Sequence, residues 1–403
     1  MDFIVLILGS DINAYYMARC YHEEYNKKAY MIGKLGMNFT SYSKIINLEI
    51  YDDLQDENSF KKILKSFYMK HRNKKILLIG SNDTYVRLII ENQDYLKKYF
   101  IFPYFDIDLL NNLLLKERFY SNFNDLSKPE TFVYNVNEIL DRTKIKKYGY
   151  PLILKPSNGI LYHEHDFSNQ HKVYKVKNFH ELIDVIEVIK KSGYNGNLII
   201  QKYIQGDDSY LFDCVAYLDR YGKVKLMTFA QIALQEHTIT GIGNATVLVN
   251  GYNSFGGTGK IIKELKNCLE KMNYHGFLEV DLKYDLDNNE FKVLEINPRQ
   301  GRSSYYLAFA GFNLIKYLVD DLIYEKQLQY TFVNKEVCLS FVPKFVIKKY
   351  VNNSALKKEI LKLYHEKKVI NPLKNKKDNL FKRKMWLRAR DINYIKKYKQ
   401  NSW

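Results

Sequence analysis

Short continuous apolar runs alternate with amphipathic stretches over the first 105 residues. Phe3–Leu8 and Lys75–Gly80 are typical of buried strands, whereas Ser59–His71 carries apolar residues at helical spacing. This alternation predicts a parallel sheet with helices on both faces. Polar residues follow the two strands directly, at Gly9–Asp11 and Ser81–Asp83. We expect both segments at the carboxyl edge of the sheet, where ligands of such sheets bind.

The pattern changes at about residue 106. Asp106–Phe123 is amphipathic throughout, which predicts a helix with Lys116 near its middle. Two longer β-rich runs, 210–217 and 224–235, predict a pair of antiparallel strands. Residues 238–257 contain five glycines and predict a loop-rich segment with only a short apolar interruption.

Composition places the chain among ordinary folded proteins, since 46% of its residues are hydrophobic and 27% are charged. No apolar run approaches the roughly 20 residues of a membrane span. The first apolar run lacks a basic leader, so we expect no signal peptide. The cysteines have neither metal nor redox spacing and predict reduced thiols in a cytoplasmic protein; they are Cys20, Cys214, Cys268 and Cys338.

The net charge of +17 is concentrated at one end of the chain. Residues 331–403 carry 20 basic and 5 acidic side chains, which leaves 42 and 40 for the first 330 residues. We therefore expect three parts: an N-terminal α/β domain over 1–105, a second folded unit over 106–330, and a basic C-terminal segment over 331–403.

The basic segment has three interpretations. In the first, its charges form an ordinary solvated surface. In the second, the segment contacts an anionic membrane at the inner membrane surface through residues 381–403, where aromatic residues interleave with the charges. Nucleic-acid binding is the third interpretation. We expect no nucleic-acid partner, because the segment has no recognisable motif and the rest of the chain is nearly neutral.

Two strands near the end of the second unit carry oxygen ligands. Glu295 and Asn297 are two residues apart, so a strand points both side chains to one face, and Asp281 on the neighbouring strand can join them. Two carboxylates with an amide suit Mg²⁺ together with substrate phosphates. The alternative, solvent-facing strand residues, is disfavoured because the flanking residues are apolar.

Lys155 ends an apolar strand and is followed by a polar stretch that contains Ser157 and Gly159. One lysine in a lysine-rich chain is weak evidence of a phosphate site. Without further signals we would interpret it as a surface residue. The polar stretch makes it a candidate phosphate ligand, since its backbone N–H groups could fold over an anion.

The second unit contains, in this order along the chain, Lys116, Lys155-Pro156, Gln201-Lys202-Tyr203-Ile204 with Asp208, Asp281 and Glu295-Ile296-Asn297-Pro298-Arg299. This order of residues resembles that of the ATP-grasp superfamily. The resemblance covers about 106–320, with residues 1–105 matching the domain that usually precedes it. It implies ATP and Mg²⁺ as cofactors, with Lys116, Lys155 and the loop of Ser157 and Gly159 at the phosphates. It also implies two ATP-grasp halves hinged near 201–206.

The same resemblance implies roles for further residues. Gln201, Lys202, Tyr203 and Ile204 would form the hinge, with the Lys202 carbonyl and the Ile204 amide at adenine. The ribose hydroxyls would meet Asp208. One or two Mg²⁺ ions would be held by Asp281, Glu295 and Asn297, and the transferring phosphoryl group would be steadied by Arg299.

Four longer segments resemble one group within that superfamily, the D-aspartate ligase group of carboxylate–amine ligases. They are LGSDINAYYMAR, KPSNG, EHTITGIGNAT and EINPRQGRSSYYLAFAG. The resemblance implies an enzyme that joins the β-carboxylate of D-aspartate to the lysine side chain of a peptidoglycan precursor. It also implies that the chain takes part in cell-wall biogenesis.

Two arginines and one glutamate bear on the substrate. D-Alanine–D-alanine ligases of this superfamily place an arginine where this chain has Glu279, which argues against that activity; Arg299 or Arg302 would then take the charge-stabilising role. Arg302 is our candidate for binding the α-carboxylate of the amino acid. The alternatives are the same ATP chemistry on another amino acid or amine and, less favoured, a non-catalytic nucleotide-binding scaffold.

Overall fold

The chain begins with a parallel sheet in the computed structural model, which describes residues 2–104, 106–238 and 241–400. Its elements are β1 (Phe3–Leu8), α1 (Ile12–Tyr25), β2 (Ala29–Gly33), β3 (Ile46–Ile50), α2 (Glu57–His71), β4 (Lys75–Gly80), α3 (Asp83–Glu91) and α4 (Gln93–Leu96). The strand order is β3-β2-β1-β4, and each neighbouring pair is parallel. The predicted α/β class is confirmed.

Helices cover both faces of this sheet. Val5 and Ile7 of β1 pack in one core with α1, whereas Leu6 and Leu8 pack in another core with α2 and α3. Successive residues of a strand point to opposite faces, so an all-apolar strand such as β1 is stable only when both faces are covered.

Asp11 joins the carboxyl ends of β1 and β4. One of its oxygens accepts a hydrogen bond from Ala14 N at 3.0 Å and so caps α1. The other accepts from Ser81 Oγ at 2.9 Å and from Asn82 Nδ2 at 3.1 Å. The two polar segments therefore meet at this edge, as the sequence predicts.

Two short helices, α5 (Ile107–Leu114) and α6 (Lys116–Asn122), follow the sheet. The single helix predicted over 106–123 is wrong, because Leu115 between them has extended backbone with φ −82° and ψ 108°. Lys116 consequently opens α6, where its N–H donates to Ser157 O at 3.1 Å.

An antiparallel sheet comes next, with the strand order β5-β8-β6-β7. Its elements are β5 (Thr131–Asn135), α7 (Arg142–Lys146), β6 (Leu152–Pro156), α8 (Gly159–His163), β7 (Tyr174–Val176), α9 (Phe179–Lys191) and β8 (Asn197–Lys202). Leu182, Ile186 and Ile189 recur on one side of α9 and are buried against the sheet. The predicted hinge begins where β8 ends.

The remaining described strands form one nine-stranded sheet. After a short 3-10 helix (Asp208–Tyr210), the elements are β9 (Leu211–Leu218), β10 (Val224–Thr228), β11 (Ala230–Gln235), β12 (Ala245–Asn250), α10 (Thr258–Lys271), β13 (Gly276–Asp285), β14 (Glu290–Asn297), α11 (Tyr305–Phe309), α12 (Leu314–Leu322), β15 (Thr331–Val333), β16 (Val337–Ser340), α13 (Lys344–Tyr350), α14 (Ser354–His365), β17 (Val369–Ile370) and α15 (Phe381–Gln400). Its main path is β14-β13-β9-β11-β12-β16-β17, and β10 pairs with β9 and β15.

Two sequence predictions need correction in this sheet. The run 224–235 is antiparallel to β9 as predicted, but it divides at Phe229 into β10 and β11, which pair with opposite ends of β9. The segment 238–257 is not all loop, since β12 is buried along its whole length. Its apolar residues form an interior strand despite the glycines around them.

The basic C-terminal residues belong to the same body. They contribute β15, β16 and β17 to the nine-stranded sheet, and α15 contacts both that sheet and the loop after β2. Near its start, Arg383 and Asp378 form a fully buried ion pair at 3.4 Å, and Tyr15 of α1 donates to Asp378 at 3.0 Å. Near its end, the Tyr398 hydroxyl donates to the carbonyl of Gln235 in β11.

The four cysteines are free and buried, as expected. Within the described ranges, none of the helices combines the length and apolarity that crossing a bilayer requires.

Candidate active site

Four buried or half-buried carboxylates lie on adjacent strands of the nine-stranded sheet. Asp281 of β13 is the direct cross-strand partner of both Asp213 of β9 and Glu295 of β14. Glu279 is opposite Asn297 one step along the same face. We call Asp213, Glu279, Asp281 and Glu295 the acidic strip.

The amide of Asn297 completes the predicted oxygen set, since its Nδ2 lies 3.3 Å from Asp281 Oδ2. Val280, Leu282 and Ile296, the intervening residues, point to the opposite face and pack in the core. The period of two in these strands thus brings Asp281, Glu295 and Asn297 together. Sequence analysis missed Asp213, although an acid within the apolar run LFDCVAYL is the same kind of signal.

Lysines face one end of the acidic strip. Lys116 Nζ lies 3.5 Å from Glu295 Oε2, and the buried Lys155 Nζ donates to Tyr120 OH at 3.1 Å. Burial lowers the pKa of Lys155 to about 8, although the negative charge of Glu295 opposes that shift. Burial would raise the pKa of Glu295, but Lys116, Lys172 and Lys155 outweigh it and hold that pKa well below its usual range.

The other acids of the strip repel one another. Burial, with the charges of Glu279 and Glu295, raises the pKa of Asp281 well above its usual value. Burial and the charge of Glu279 likewise raise the pKa of Asp213 well above its usual value. A divalent cation beside Asp281, Glu295 and Asn297 would relieve this repulsion, so the donor set fits Mg²⁺. The described ranges contain no group of three or more His, Cys, Asp or Glu side chains arranged as a metal site, so phosphate oxygens would have to complete the coordination.

Arg299 connects the acidic strip to the parallel sheet. Its Nη1 lies 3.2 Å from Glu279 Oε2, and its Nε lies 2.7 Å from Asp83 Oδ1 at the start of α3. Its Nη2 reaches Asn297 Oδ1 at 3.5 Å. A guanidinium thus lies against the carboxylate of Glu279.

The turn after β14 packs tightly on the strip. Ser303 Oγ donates to Asp213 Oδ2 at 2.6 Å, and Ser304 Oγ accepts from Gly301 N at 2.8 Å. A Cβ atom at Gly301 would overlap the carboxylate of Glu279. A larger residue at this position would therefore have to displace that carboxylate from Arg299.

The predicted hinge residues span the end of β8, since Gln201 and Lys202 are its last two residues and Tyr203 and Ile204 follow it. Gln201 is buried and its Nε2 donates to Thr131 Oγ1 at 2.8 Å, while Lys202 N donates to the carbonyl of Glu130 at 3.0 Å. Ile204 is buried. Gly206 has φ +108°, where only glycine avoids both strain and a clash with the ring of Tyr210.

Tyr203 lies between two cations that the sequence analysis did not single out. Lys175 Nζ is 3.9 Å and Lys283 Nζ is 5.1 Å from the centre of its ring. Lys283 is two residues after Asp281 on the same face of β13 and donates to Gly206 O at 3.0 Å. That spacing is the sequence signal that would have found it.

Asp208 is already engaged by protein groups. One oxygen accepts from Gln235 Nε2 at 2.7 Å, and the other accepts from Gln235 N at 3.0 Å and contacts His237 Nε2 at 2.7 Å. These bonds fix the carboxylate on β11 and leave it only partly accessible.

The loop after Lys155 is ordered by side chains. Ser157 is buried, its N–H donates to Asn197 O at 2.9 Å, and its Oγ accepts from Glu117 N at 3.1 Å. Gly159 is the first residue of α8, which Asn158 caps. The N–H of Ser157 is therefore engaged within the protein.

Arg302 points away from the acidic strip and toward α15. Its Nη2 lies 2.8 Å from Glu236 Oε1 and 3.1 Å from Tyr394 OH. Arg390 Nη2 donates to the same hydroxyl at 2.9 Å, and Lys397 Nζ lies 3.6 Å from Glu236 Oε2. Sequence analysis missed these α15 residues because Tyr394 and Glu236 are 158 positions apart.

Comparison with known proteins identifies the family of the chain. The chain is 32% identical to the D-aspartate ligase of Enterococcus faecium over 415 aligned positions, which cover 99% of this chain and 96% of that protein. No family model matches the sequence.

Solved structures share the fold. The N5-carboxyaminoimidazole synthetase of Staphylococcus aureus in complex with ADP superposes with a TM-score of 0.62 at 15% identity, covering 84% of this chain and 82% of that one. The L-amino acid ligase of Bacillus licheniformis gives a TM-score of 0.58 at 14% identity, covering 80% and 74%. With its near-complete match to a 32% identical relative, the chain belongs to the D-aspartate ligase family, and its fold is that of the ATP-grasp ligases.

Proposed function

We propose that the protein is an ATP- and Mg²⁺-dependent ligase that joins the β-carboxylate of D-aspartate to the lysine ε-amine of a peptidoglycan precursor. The observation that carries the proposal is the set of Asp281, Glu295 and Asn297 beside Lys116, in a chain that matches a D-aspartate ligase over its length.

The lysines bind the phosphates of ATP in this proposal. Lys116 and Lys155 are held at the end of the acidic strip that carries Glu295, in a site with little access to water. Fixed cations in such a site stabilise the charge that develops during phosphoryl transfer. Bound Mg²⁺ offsets the charge on the phosphate groups.

The adenosine lies at the end of β8 in this proposal. Gln201, Lys202, Tyr203 and Ile204 line the adenine, and Asp208 accepts the ribose hydroxyls. Since both Asp208 oxygens already have partners on β11, the ribose has to share them or displace His237.

The reaction follows from the weakness of carboxylates as electrophiles. A carboxylate oxygen attacks the γ-phosphorus and ADP leaves, which gives an acyl phosphate; the amine then attacks the acyl carbon and phosphate leaves. In this proposal Arg299, which is held by Asp83 and Glu279, steadies the transferring phosphoryl group. Exclusion of water protects the acyl phosphate from hydrolysis.

Release of ADP with Mg·ATP, a lysine-containing stem peptide and single amino acids tests the proposal. We expect release that depends on D-aspartate and a product whose mass equals the peptide plus one aspartyl residue. Release with a different amino acid would replace D-aspartate, and no release with any amino acid would refute the ligase activity. Asn297→Ala should abolish the D-aspartate signal.

The outer face of α15 suits peripheral contact with an anionic membrane. Phe381, Met385 and Ile392 are 77%, 48% and 56% exposed, and the helix carries eight basic residues against the single acid Asp391. Exposed apolar side chains among lysines are typical of helices that lie on anionic lipid.

We therefore infer that the enzyme works at the cytoplasmic surface of the membrane. Sedimentation with vesicles of phosphatidylglycerol and phosphatidylcholine should show salt-sensitive binding that Phe381→Ser with Met385→Ser weakens. Equal binding to vesicles of phosphatidylcholine alone, or an unaffected double variant, would contradict this inference.

A further inference from the structure

The last turn of α15 and the carboxylate proposed for the ribose meet at one short segment of chain, the end of β11. Asp208 accepts hydrogen bonds there from Gln235 N at 3.0 Å, from Gln235 Nε2 at 2.7 Å and from His237 Nε2 at 2.7 Å. Since a carboxylate only accepts, His237 is the donor in the last of these bonds. The position of Asp208 therefore depends on where residues 235–237 lie.

Tyr398 of α15 contacts the same two residues. Its hydroxyl donates to the carbonyl of Gln235 and contacts Thr246 Oγ1 on the paired strand β12. The centre of its ring lies 5.1 Å from the centre of the His237 ring. The side chain is 1% exposed, so these contacts are made in the interior. Tyr398 thus holds both residues that donate to Asp208.

The end of β11 is irregular and depends on such contacts. Its pairing with β12 shifts in register between Ile232 and Leu234 and again between Leu234 and Gln235. Irregularities of this kind disrupt the ladder of backbone hydrogen bonds and re-aim side chains. Beyond them, Gly243 N donates to Gln235 Oε1 at 2.8 Å from a backbone with φ +91°. The contacts of Tyr398 therefore contribute to the position of Gln235.

The helix places Tyr398 at a fixed point, because its first turn is attached elsewhere. Arg383 forms the buried ion pair with Asp378 at 3.4 Å, and its Nη1 donates to the carbonyl of Phe39 at 2.7 Å. Tyr398 lies near the other end of the same continuous helix. Both ends of α15 are thus attached to the folded body.

Asp208 can still bind a ligand. An ionised carboxylate offers about four acceptor positions, and the bonds from Gln235 and His237 occupy three of them. The side chain of Asp208 is 14% exposed. A ribose hydroxyl can therefore donate to the remaining position while the three bonds within the protein are kept.

We propose that Tyr398 is a positioning residue for nucleotide binding: through Gln235 and His237 it fixes Asp208 in the orientation that accepts a hydrogen bond from the ribose of ATP. The inference rests on the proposed function, because that proposal places the ribose at Asp208. It makes the basic helix α15 a part of the protein that nucleotide binding requires.

The nucleotide 2′,3′-dideoxy-ATP is the probe for this inference, because it keeps the base and the phosphates but lacks both hydroxyls. The wild-type enzyme should use ATP about 10- to 100-fold better than the dideoxy compound, since a hydrogen bond to a charged group contributes that much. The measurement is kcat/KM for phosphate release with D-aspartate and the stem peptide.

Tyr398→Phe removes the bond to Gln235 but keeps the ring. It should raise the KM for ATP about 3- to 10-fold, and leave both kcat and the KM for the dideoxy compound unchanged. Equal rises in KM with both nucleotides would indicate a general structural role and overturn the inference, as would an unchanged KM for ATP.

Tyr21→Phe is the matched control. The hydroxyl of this buried tyrosine also donates to a main-chain carbonyl, that of Phe3 at 3.4 Å, and it lies in the N-terminal α/β domain. The variant should change the KM for neither nucleotide.

A double variant tests whether Tyr398 acts through Asp208. Asp208→Ala alone should raise the KM for ATP about 10- to 100-fold. Adding Tyr398→Phe should then raise it no further, because the effects of residues that act through one another do not add. Additive effects would show that Tyr398 acts by another route and would overturn the inference. If Tyr398→Phe does not fold, His237→Phe, which loses the N–H that donates to Asp208, gives the same comparison.

The two proposals fail in different ways. A wild-type enzyme that releases no phosphate with any amino acid refutes the ligase activity and, with it, this inference. Equal use of ATP and the dideoxy compound by the wild type refutes the ribose role of Asp208 and this inference, but not the ligase activity. Discrimination by the wild type that Tyr398→Phe leaves unchanged refutes only the positioning role.

Discussion

The acidic strip and the cluster of Arg302, Arg390 and Lys397 around Glu236 are built in opposite ways. The strip gathers four carboxylates on three neighbouring strands, and backbone pairing alone brings Asp281 against Asp213 and Glu295. The cluster gathers its cations from a turn and from α15, and side-chain packing alone brings Arg390 near Arg302. A sheet concentrates charge through local periodicity, whereas a docked helix does so only after the chain has folded.

The strongest test of the strip is Asp281→Asn. We expect kcat to fall at least about 1,000-fold, because a lost metal ligand removes several kcal/mol of charge stabilisation. The melting temperature should stay the same or rise, since burial and neighbouring acids already raise the pKa of Asp281. ADP release and thermal unfolding check both outcomes.

Asp287→Asn, in the exposed turn of the same hairpin, should change neither kcat nor the melting temperature. A large loss of stability in Asp281→Asn would show that the strip is structural rather than a metal site.

The attachment of α15 is tested by Arg383→Met. Removing one member of a buried ion pair leaves Asp378 uncompensated and should lower the free energy of unfolding by about 3–5 kcal/mol. Urea denaturation measures this, with the exposed Arg388→Met as control. A loss below about 1 kcal/mol would mean that this ion pair does not hold α15 in place.

Lys155→Met tests the cation that faces the strip. Burial lowers the pKa of Lys155 to about 8 in the folded protein, so below that pH the folded state carries a poorly solvated charge. The variant should be more stable than the wild type at pH 7 by up to about 3 kcal/mol. The unfolded lysine stays protonated up to about pH 10.4, so wild-type stability recovers between pH 8 and that value.

Urea titrations of both proteins from pH 7 to pH 10 should therefore show the difference shrinking as pH rises. A difference that is constant with pH would mean that Lys155 is not a buried charge in the ligand-free enzyme.

The smallest effect concerns the last turn of α15. Tyr398→Phe removes a hydroxyl that donates to the carbonyl of Gln235 and contacts Thr246 Oγ1, and should lower stability by about 1 kcal/mol. Tyr324→Phe, at a 40% exposed tyrosine, is the control. If Tyr398→Phe leaves the stability unchanged, then packing, rather than this hydrogen bond, holds the end of the helix.

The sequence predicts what local periodicity determines. Alternation brings Asp281, Glu295 and Asn297 to one face, and apolar strands with polar ends identify the parallel sheet. The breaks at Leu115 and Phe229 were not predicted, because tertiary contacts decide where a continuous amphipathic or apolar run divides. The bonds of Asp208 to β11 and of Tyr394 to Glu236 depend on packing between distant segments, which no short pattern in the chain records.

The position of α15 also has a consequence during synthesis. Ribosomes add about 5–20 residues per second, so the 20 residues of α15 take about 1–4 s to make after every other described element. Until they emerge, Glu236 and Arg302 have no Tyr394 beside them, and Asp378 has no Arg383. A growing polypeptide therefore cannot form the buried ion pair between Arg383 and Asp378 before α15 is made.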